Sequence, residues 1–307
     1  MKKLLAISLM AVMTLSLCSC GGGDQTEGAA SNENDKETQK FLDSITSETA
    51  EAKGVCGADL TWYYQDGVLV IKGTGDMNDY VDGWGDSTAP WNDSDAYNET
   101  VHWIILDEGV TSVGKYAFYH MENLAKVDFS DSIVEIREGA FEGCSQLTSI
   151  KLPQKLEMIE RDAFNCENLS GTLILPAGLT EYSSAFSECN FTKVELADGI
   201  AVVEFGAMDS EEVVIPASVR EVQSLGYSTK TVTFLGSAPE IDLRDMKDIN
   251  GQVIGYQIPW IYSGFMFDRE NNCYTTEEKG ESVTINYSGE GFEKYIELCP
   301  QYNWVKK

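Results

Sequence analysis

Apolar residues recur along this chain at a period of 22 or 23 residues. An Ala-Phe dipeptide occurs four times and is followed by a degenerate Ala-Met copy: Ala117-Phe118, Ala140-Phe141, Ala163-Phe164, Ala185-Phe186 and Ala207-Met208. Apolar pairs that flank one polar or variable position, as in a strand with one buried face, stand before the first copy, between successive copies and after the last. These pairs are Ile104/Leu106, Val127/Phe129, Ile150/Leu152, Leu173/Leu175, Val194/Leu196, Val213/Ile215 and Val232/Phe234. Self-similarity at such a period predicts a solenoid.

Each repeat is interpreted as one turn of a coil, made of a strand, a bend and a short helical or irregular return. Turns of this kind stack at the strand spacing of about 4.8 Å, and none of them is stable alone. The recurring phenylalanines are therefore expected to form a buried ladder, one ring above the next: Phe118, Phe141, Phe164 and Phe186.

Both ends of the repeat array differ in pattern from its middle. Before the array, Leu60, Trp62 and Tyr64 alternate with other residues up to Asp66-Gly67. This pattern predicts a β-hairpin that covers the first repeat, within an N-terminal cap region at residues 54–100. The repeats are assigned to residues 101–248. Residues 249–307 do not follow the period at first and are interpreted as an insertion and a C-terminal cap.

Several blocks resemble the BspA-type (Treponema pallidum-like) leucine-rich repeats of bacterial surface proteins. The resemblance rests on residues 109–118, with Gly109-Val110-Thr111 and Ala117-Phe118, and on Gly143-Cys144-Ser145-Gln146-Leu147. The entry segments 56–62 and 67–77 are also similar to those that precede repeats in this family. The implied fold is an α/β solenoid: a right-handed leucine-rich-repeat coil with a parallel β-sheet and a cap at each end. The pattern weakens at Ser183-Ser184, at Met208 and around Ser224–Tyr227.

The first twenty residues have the pattern of an export signal. Lys2 and Lys3 precede an apolar run, residues 4–17, that is too short for a stable membrane span. The run ends in Leu17-Cys18-Ser19-Cys20 followed by three glycines, which resembles a bacterial lipobox. We therefore predict a signal peptide at residues 1–19 and lipidation at Cys20, and an ordinary secretory signal is the alternative. Either interpretation predicts an exported protein, and the first predicts one that is lipid-anchored at the cell exterior.

Residues 20–53 are rich in small, polar and acidic residues and contain one aromatic residue, Phe41. Such a composition cannot bury enough apolar surface to offset the entropy of ordering, so the segment is predicted to be a disordered tether.

The net charge excludes one class of partner. Fifty acidic residues against 22 basic ones give a formal charge of -28, which repels nucleic acid and anionic membrane surfaces. Contact with the membrane is therefore expected through the lipid anchor only.

Candidate catalytic and metal motifs are weak. Gly109–Lys115 has phosphate-loop spacing, but Tyr116 stands where a magnesium-binding hydroxyl is needed. The two histidines, His102 and His120, lack a recognisable nucleophile motif nearby. We expect no enzymatic activity and no cofactor.

The cysteines after the lipobox and the acidic loop before the first repeat are expected to have structural roles rather than to bind metal. Cys144, Cys166 and Cys189 recur with the repeat and are expected to be small buried thiols rather than zinc ligands. Cys273 and Cys299 are compatible with a disulfide, which spacing alone does not establish. The loop from Asp76 to Asp95 lacks a complete calcium-binding pattern and is expected to be packed by its tryptophans, Trp84 and Trp91. A contribution of this loop to recognition is the alternative, because aromatic residues flanked by polar ones are suitable binding anchors.

The outward strand positions form the predicted binding surface: Lys126, Asp128, Ser149, Lys151, Thr172, Ile174, Lys193 and Glu195. The resemblance implies attachment to an extracellular protein or glycan, and adhesion or protein binding is the leading hypothesis. A structural or assembly subunit at the cell surface is the alternative. An extracellular hydrolase that uses paired carboxylates ranks third.

Overall fold

The computed structural model describes residues 39–81, 87–92, 97, 99–182, 184–204, 209–225, 229–241, 243–247, 252–257, 265–268, 273–278 and 283–307. The predicted signal peptide, Cys20 and the tether before residue 39 lie outside these ranges. So do Trp84, Met208 and the side chain of Cys273.

The chain enters the fold through three antiparallel strands: β1 (Ala52–Val55), β2 (Gly57–Gln65) and β3 (Val68–Met77). The predicted turn lies between Gln65 and its partner Val68, and both of its central residues have positive φ, 49° at Asp66 and 79° at Gly67. Two positive φ values match the right-handed twist of a two-residue hairpin, which favours Asp-Gly.

The expectation of a disordered segment up to residue 53 is wrong for residues 39–53. Residues 39–44 are helical, Ile45 is buried, and β1 pairs with β2 from Ala52 to Val55. Contacts with β3 and with Trp103 and Ile105, remote in sequence, stabilise a segment whose own composition is too polar to fold alone.

A parallel sheet continues from the hairpin through the repeats. The inward residue Leu69 is the direct partner of Ile104, which is in turn the partner of Val127. After the turn at residues 148–152, a second sheet of six strands continues the same direction. The strands of this wall are β4 (Trp103–Leu106), β6 (Lys126–Phe129), β9 (Ser170–Leu175), β10 (Asn190–Leu196), β12 (Asp209–Ile215), β14 (Thr231–Phe234), β20 (Thr284–Tyr287) and β21 (Asn303–Lys306).

A second wall of shorter parallel strands follows the bend of each turn. Val113, for example, is the partner of Ile136, which in turn pairs with Ile159. These strands are β5 (Val110–Val113), β7 (Glu135–Ile136), β8 (Met158–Ile159), β11 (Val202–Glu204), β13 (Glu221–Ser224) and β15 (Glu240–Ile241). The fold is therefore a parallel β-solenoid of about eight turns, with more strand per turn than the sequence predicted.

The returns between the walls are turns, which corrects the expected α/β class. Tyr116 and His120, two residues on either side of Phe118, both have a φ of 54°, a left-handed conformation that ends any α-helix. Hydrogen bonds run between turns instead, as from the Phe118 N–H to the carbonyl of Ala140 at 2.8 Å. Among the described residues, helix is confined to residues 39–44, residue 97 and α1 (Glu293–Leu298).

The repeat phenylalanines stack along the coil axis. Phe118, Phe141, Phe164 and Phe186 are fully buried, and successive ring centroids lie 5.1, 5.1 and 5.3 Å apart. Trp91 adds a further ring, 5.4 Å from Phe118, and its Nε1 donates to the Ala117 carbonyl at 2.6 Å. The loop that contains Trp91 thus closes one end of the stack.

The C-terminal region, predicted to be an insertion and a cap, contains strands that continue the coil. Ile285 pairs with Val232, and Trp304 pairs with Ile285, so β20 and β21 are additional rungs of the first wall. The residues inserted before β20 include two hairpins, formed by β16 (Arg244–Lys247) with β17 (Val253–Gln257) and β18 (Phe265–Asp268) with β19 (Cys273–Glu278). The coil thus resumes its register after the insertion.

Candidate interaction surface

The predicted binding residues lie on the outward side of the first wall, which we call the strand face. Strand alternation points Val127, Leu173 and Val194 into the core, so their neighbours point outward. Lys126 pairs in register with Trp103, and Lys193 lies between Thr172 and Glu212. Ser149 and Lys151 hold the equivalent positions in the irregular turn between the two sheets, and both are exposed.

Two lysines of the strand face are already paired with neighbouring acids. Lys126 Nζ lies 2.7 Å from Asp128 Oδ2. Lys193 Nζ lies 2.6 Å from Glu195 Oε1 and 3.8 Å from Glu212 Oε1. Within each of these exposed pairs the two charges neutralise each other, and such pairs contribute little to the stability of the fold.

The centre of the strand face differs from its flanks. Ile174 is 54% exposed and lies beside the exposed hydroxyl of Thr172 in β9. Lys151, in the preceding turn, forms no ion pair within the described part of the chain. Successive turns thus present to solvent a cation without an ion pair among the described residues and, at the equivalent position, an apolar side chain.

One end of the strand face is covered, a feature that the sequence reasoning missed. Val68, Val70 and Trp103 occupy outward positions and are at most 2% exposed. The continuous apolar run Val68–Ile71 was the available signal, because a strand with four consecutive apolar residues is buried on both faces.

Ion pairs connect successive turns at one corner of the coil. Lys115 bridges Glu138 at 3.2 Å and Glu160 at 3.3 Å, and Arg161 pairs with Glu138 from the next turn. The hydrogen bond from Arg161, assisted by Lys115, lowers the pKa of Glu138. Gly109–Lys115, the segment with phosphate-loop spacing, is part of this corner, so its lysine is engaged with carboxylates.

The loop acids near the hairpin have protein partners as well. Asp76 Oδ1 accepts from the Thr111 hydroxyl at 2.6 Å, which lowers the pKa of Asp76. Asp79 Oδ1 accepts from the Lys115 N–H at 2.9 Å and lies 3.1 Å from Arg137. No group of three or more potential metal ligands occurs among the described residues.

An acidic groove of about 310 Å³ lies on the side of the returns. His120 lines it together with four glutamates: Glu122, Glu142, Glu167 and Glu188. Partial burial raises the pKa of Glu142, and the nearby Asp162 carboxylate adds to this effect. His102 lies elsewhere, with Nδ1 3.3 Å from the carbonyl of Thr100.

The repeat cysteines form a buried ladder without reactive character. Each thiol contacts the carbonyl of the phenylalanine one turn earlier, at 3.2 Å for Cys144 to Phe118, 3.0 Å for Cys166 to Phe141 and 2.9 Å for Cys189 to Phe164. Burial raises the pKa of Cys189 to about 12. Cys299 is likewise a buried free thiol, and its Sγ lies 3.5 Å from the Tyr256 carbonyl.

No helix among the described residues is long and apolar enough to cross a membrane.

Comparison with known proteins identifies the repeat. Residues 93–213 match the family model of the BspA type leucine rich repeat region in six copies. Leucine-rich repeats of this family are typically binding scaffolds without enzymatic activity, and they suggest protein–protein interaction. No curated protein has significant sequence similarity to the chain.

Three solved structures are similar at low identity. A leucine-rich repeat protein from Eubacterium ventriosum is 15% identical, with 78% of this chain and 68% of that chain covered and a TM-score of 0.38. The T. pallidum leucine rich repeat protein is 23% identical, with 52% and 86% covered and a TM-score of 0.32. A leucine rich cell surface protein from Faecalibacterium prausnitzii is 19% identical, with 85% and 78% covered and a TM-score of 0.41.

Proposed function

We propose that this chain, which carries a BspA-type leucine-rich-repeat region over residues 93–213, is an exported scaffold that binds a protein or glycan outside the cell. The observation that carries the proposal is the open centre of the strand face, where Lys151, Thr172 and Ile174 are exposed together. Solenoids present such extended surfaces for recognition, and an exposed apolar residue among polar ones is a suitable anchor.

The chemistry of this centre favours a partner with an apolar group next to an acid. About half of the surface of Ile174 is exposed and available to a partner. Lys151 adds a positive charge that forms no ion pair among the described residues. The flanking lysines Lys126 and Lys193 already form ion pairs with neighbouring acids. These pairs therefore contribute to the specificity for a partner more than to the affinity for it.

Export and lipid anchoring complete the proposal. Lys2, Lys3 and the apolar run after them support secretion, and the sequence from Leu17 to Cys20 supports lipidation at Cys20. Mass spectrometry of the protein from its native membrane tests this step, since a diacylglycerol adduct on Cys20 is expected. An unmodified protein in the culture medium would contradict anchoring while leaving secretion intact.

The binding test uses the soluble chain of residues 21–307, because residues 39–55 are part of the fold. It is measured against immobilised matrix glycoproteins, mucins and whole bacterial cells. Saturable binding is expected, and Lys151→Glu combined with Ile174→Asp is expected to weaken it at least tenfold. Leu235→Asp is the matched control, because Leu235 is equally exposed at 57% but lies beyond the end of β14.

The other outcomes separate the alternatives. Concentration-dependent self-association without binding to any partner would support the assembly role. Turnover of a glycan or peptide substrate that Glu142→Gln abolishes would support the hydrolase, since the acidic groove contains the carboxylate whose pKa is raised by burial.

A further inference from the structure

The covered end of the strand face consists of an apolar surface and a short segment packed against it. In β3, Leu69 and Ile71 belong to the main core, whereas Val68 and Val70 point outward into a second apolar cluster with Trp103 and Ile45. We call the outward surface formed by Val68, Val70, Trp103, Ile105 and Tyr63 the apolar patch.

The cover of the apolar patch is the segment of residues 39–45, which we call the strap. Its apolar residues Phe41, Leu42 and Ile45 fall on one side of a helical turn, and Ile45 is 1% exposed. Its remaining residues face solvent: Gln39, Lys40, Asp43 and Ser44. The strap is therefore a short amphipathic segment bound to the outside of the sheet.

Few polar contacts hold the strap in place. Within the described chain, one hydrogen bond connects it to the sheet, from Lys72 Nζ to the Ile45 carbonyl at 3.4 Å. The β1–β2 ladder begins only at Ala52, after a linker of residues 46–51. The strap can thus leave the patch without breaking any strand pairing.

Trp103 joins the apolar patch to the strand face. Its Nε1 donates to Asp128 Oδ2 at 2.8 Å, and Lys126 Nζ lies 4.2 Å from the ring centroid. The patch and the outward row that begins at Lys126 and Asp128 are therefore one continuous surface, of which the strap hides the apolar end.

We propose that the apolar patch is a docking site for a short amphipathic peptide segment, which the strap occupies in the isolated chain. The ligand of this site carries two or three large apolar side chains at the spacing of Phe41, Leu42 and Ile45. A partner bound to the strand face extends onto the patch by displacing the strap, a step that rests on the proposed function.

A peptide of residues 39–50 with a fluorescent label tests the site without any external partner. The soluble chain of residues 21–307 carries Ile45→Asp to release its own strap, and circular dichroism verifies that the solenoid remains folded. Fluorescence anisotropy is expected to show at least tenfold tighter peptide binding to this variant than to the unchanged chain. In the unchanged chain, a short linker holds the strap beside the patch at an effective concentration in roughly the millimolar range. The labelled peptide must compete with this tethered strap.

Two further variants locate the binding. Adding Val70→Asp to the Ile45→Asp chain is expected to abolish binding, and adding Ile174→Asp is expected to leave it unchanged. A peptide that itself carries Ile45→Asp should not bind. Equal affinity for the unchanged and the released chain, or no binding to a folded released chain, would overturn the docking site.

The displacement step has its own readout. A partner found in the binding test should bind the Ile45→Asp chain more tightly than the unchanged chain, whereas equal affinity would show that it docks elsewhere and would refute displacement. Absence of any external partner would count against the proposed function while leaving the peptide result standing.

Discussion

The ring of Phe141 lies parallel to the ring of Phe164, with an interplanar angle of 4° and centroids 5.1 Å apart. Each ring fills the space between two turns, and both are fully buried. The solenoid therefore has a continuous aromatic axis rather than a set of separate cores.

Replacing Phe141 by Ala is expected to lower the free energy of unfolding by about 3–5 kcal/mol, because the cavity lies between two turns that cannot collapse independently. Chemical denaturation monitored by circular dichroism measures the loss. Phe129→Ala is the control, since Phe129 is only half-buried at the edge of the same cluster. Equal losses at both positions would contradict the special role of the stack.

Gly114→Ala is expected to destabilise the entry of the coil. A Cβ at Gly114 would lie 1.8 Å from the carbonyl oxygen of Asn78, so the loop after β3 would have to move away from the first repeat. Overpacking of this kind costs about 1–3 kcal/mol. Gly178→Ala is the matched control, because the nearest atom there is 3.4 Å away, and a thermal melt of both variants should separate them.

The ion pairs around Glu138 predict a specific pH dependence. Since the pKa of Glu138 is lower in the folded chain, the pairs stabilise the fold above the unfolded pKa of about 4.3 and lose this contribution as the pH falls through the folded pKa. Glu138→Gln should therefore cost up to about 1 kcal/mol at pH 7, because the pairs are partly exposed to solvent, and less at pH 3.

Urea denaturation of the Glu138→Gln chain and the unchanged chain at both pH values measures this difference. A cost that is the same at pH 3 and pH 7 would show that the carboxylate charge is not its origin. Glu108→Gln serves as a control at an exposed position.

The buried cysteines are expected to resist alkylation until the chain unfolds. Burial raises the pKa of Cys56, Cys189 and Cys299 to about 12, and only the thiolate reacts. In the chain of residues 21–307 with Cys273→Ser, labelling at pH 8 should follow the unfolding rate. Adding Thr172→Cys to this chain supplies an exposed thiol that should react at once and serves as the positive control. Rapid labelling of the chain without Thr172→Cys would contradict the burial of its cysteines.

The repeat and its core could be predicted because a stack demands the same residue at the same position in every turn. Phe118 and Phe141 are spaced by one turn of chain, and the spacing alone places one ring above the other. The entry hairpin could be predicted for a similar local reason, since Asp66-Gly67 suits the tight turn that the structure shows.

The returns and the strap could not be predicted from local sequence. Tyr116 and Asp162 adopt positive φ although neither is glycine, and only the return with Gly139 and Gly143 marks the break that excludes helix by its composition. The strap folds only through contacts of Ile45 with residues remote in sequence, which a compositional criterion ignores. The strand-face positions followed from alternation, but their ion pairing depends on rotamers and on adjacent turns.

The insertion before β20 shows how much sequence one turn of this architecture can accommodate. Val232 and Ile285 remain register partners although 53 positions separate them, whereas 19 positions separate Ile285 from its own partner Trp304. Because each turn contacts only its neighbours, a whole hairpin-containing module can be acquired or lost in one turn without changing the others. A coil of this kind therefore tolerates a large addition within one turn, because the strand register on either side of the addition is kept.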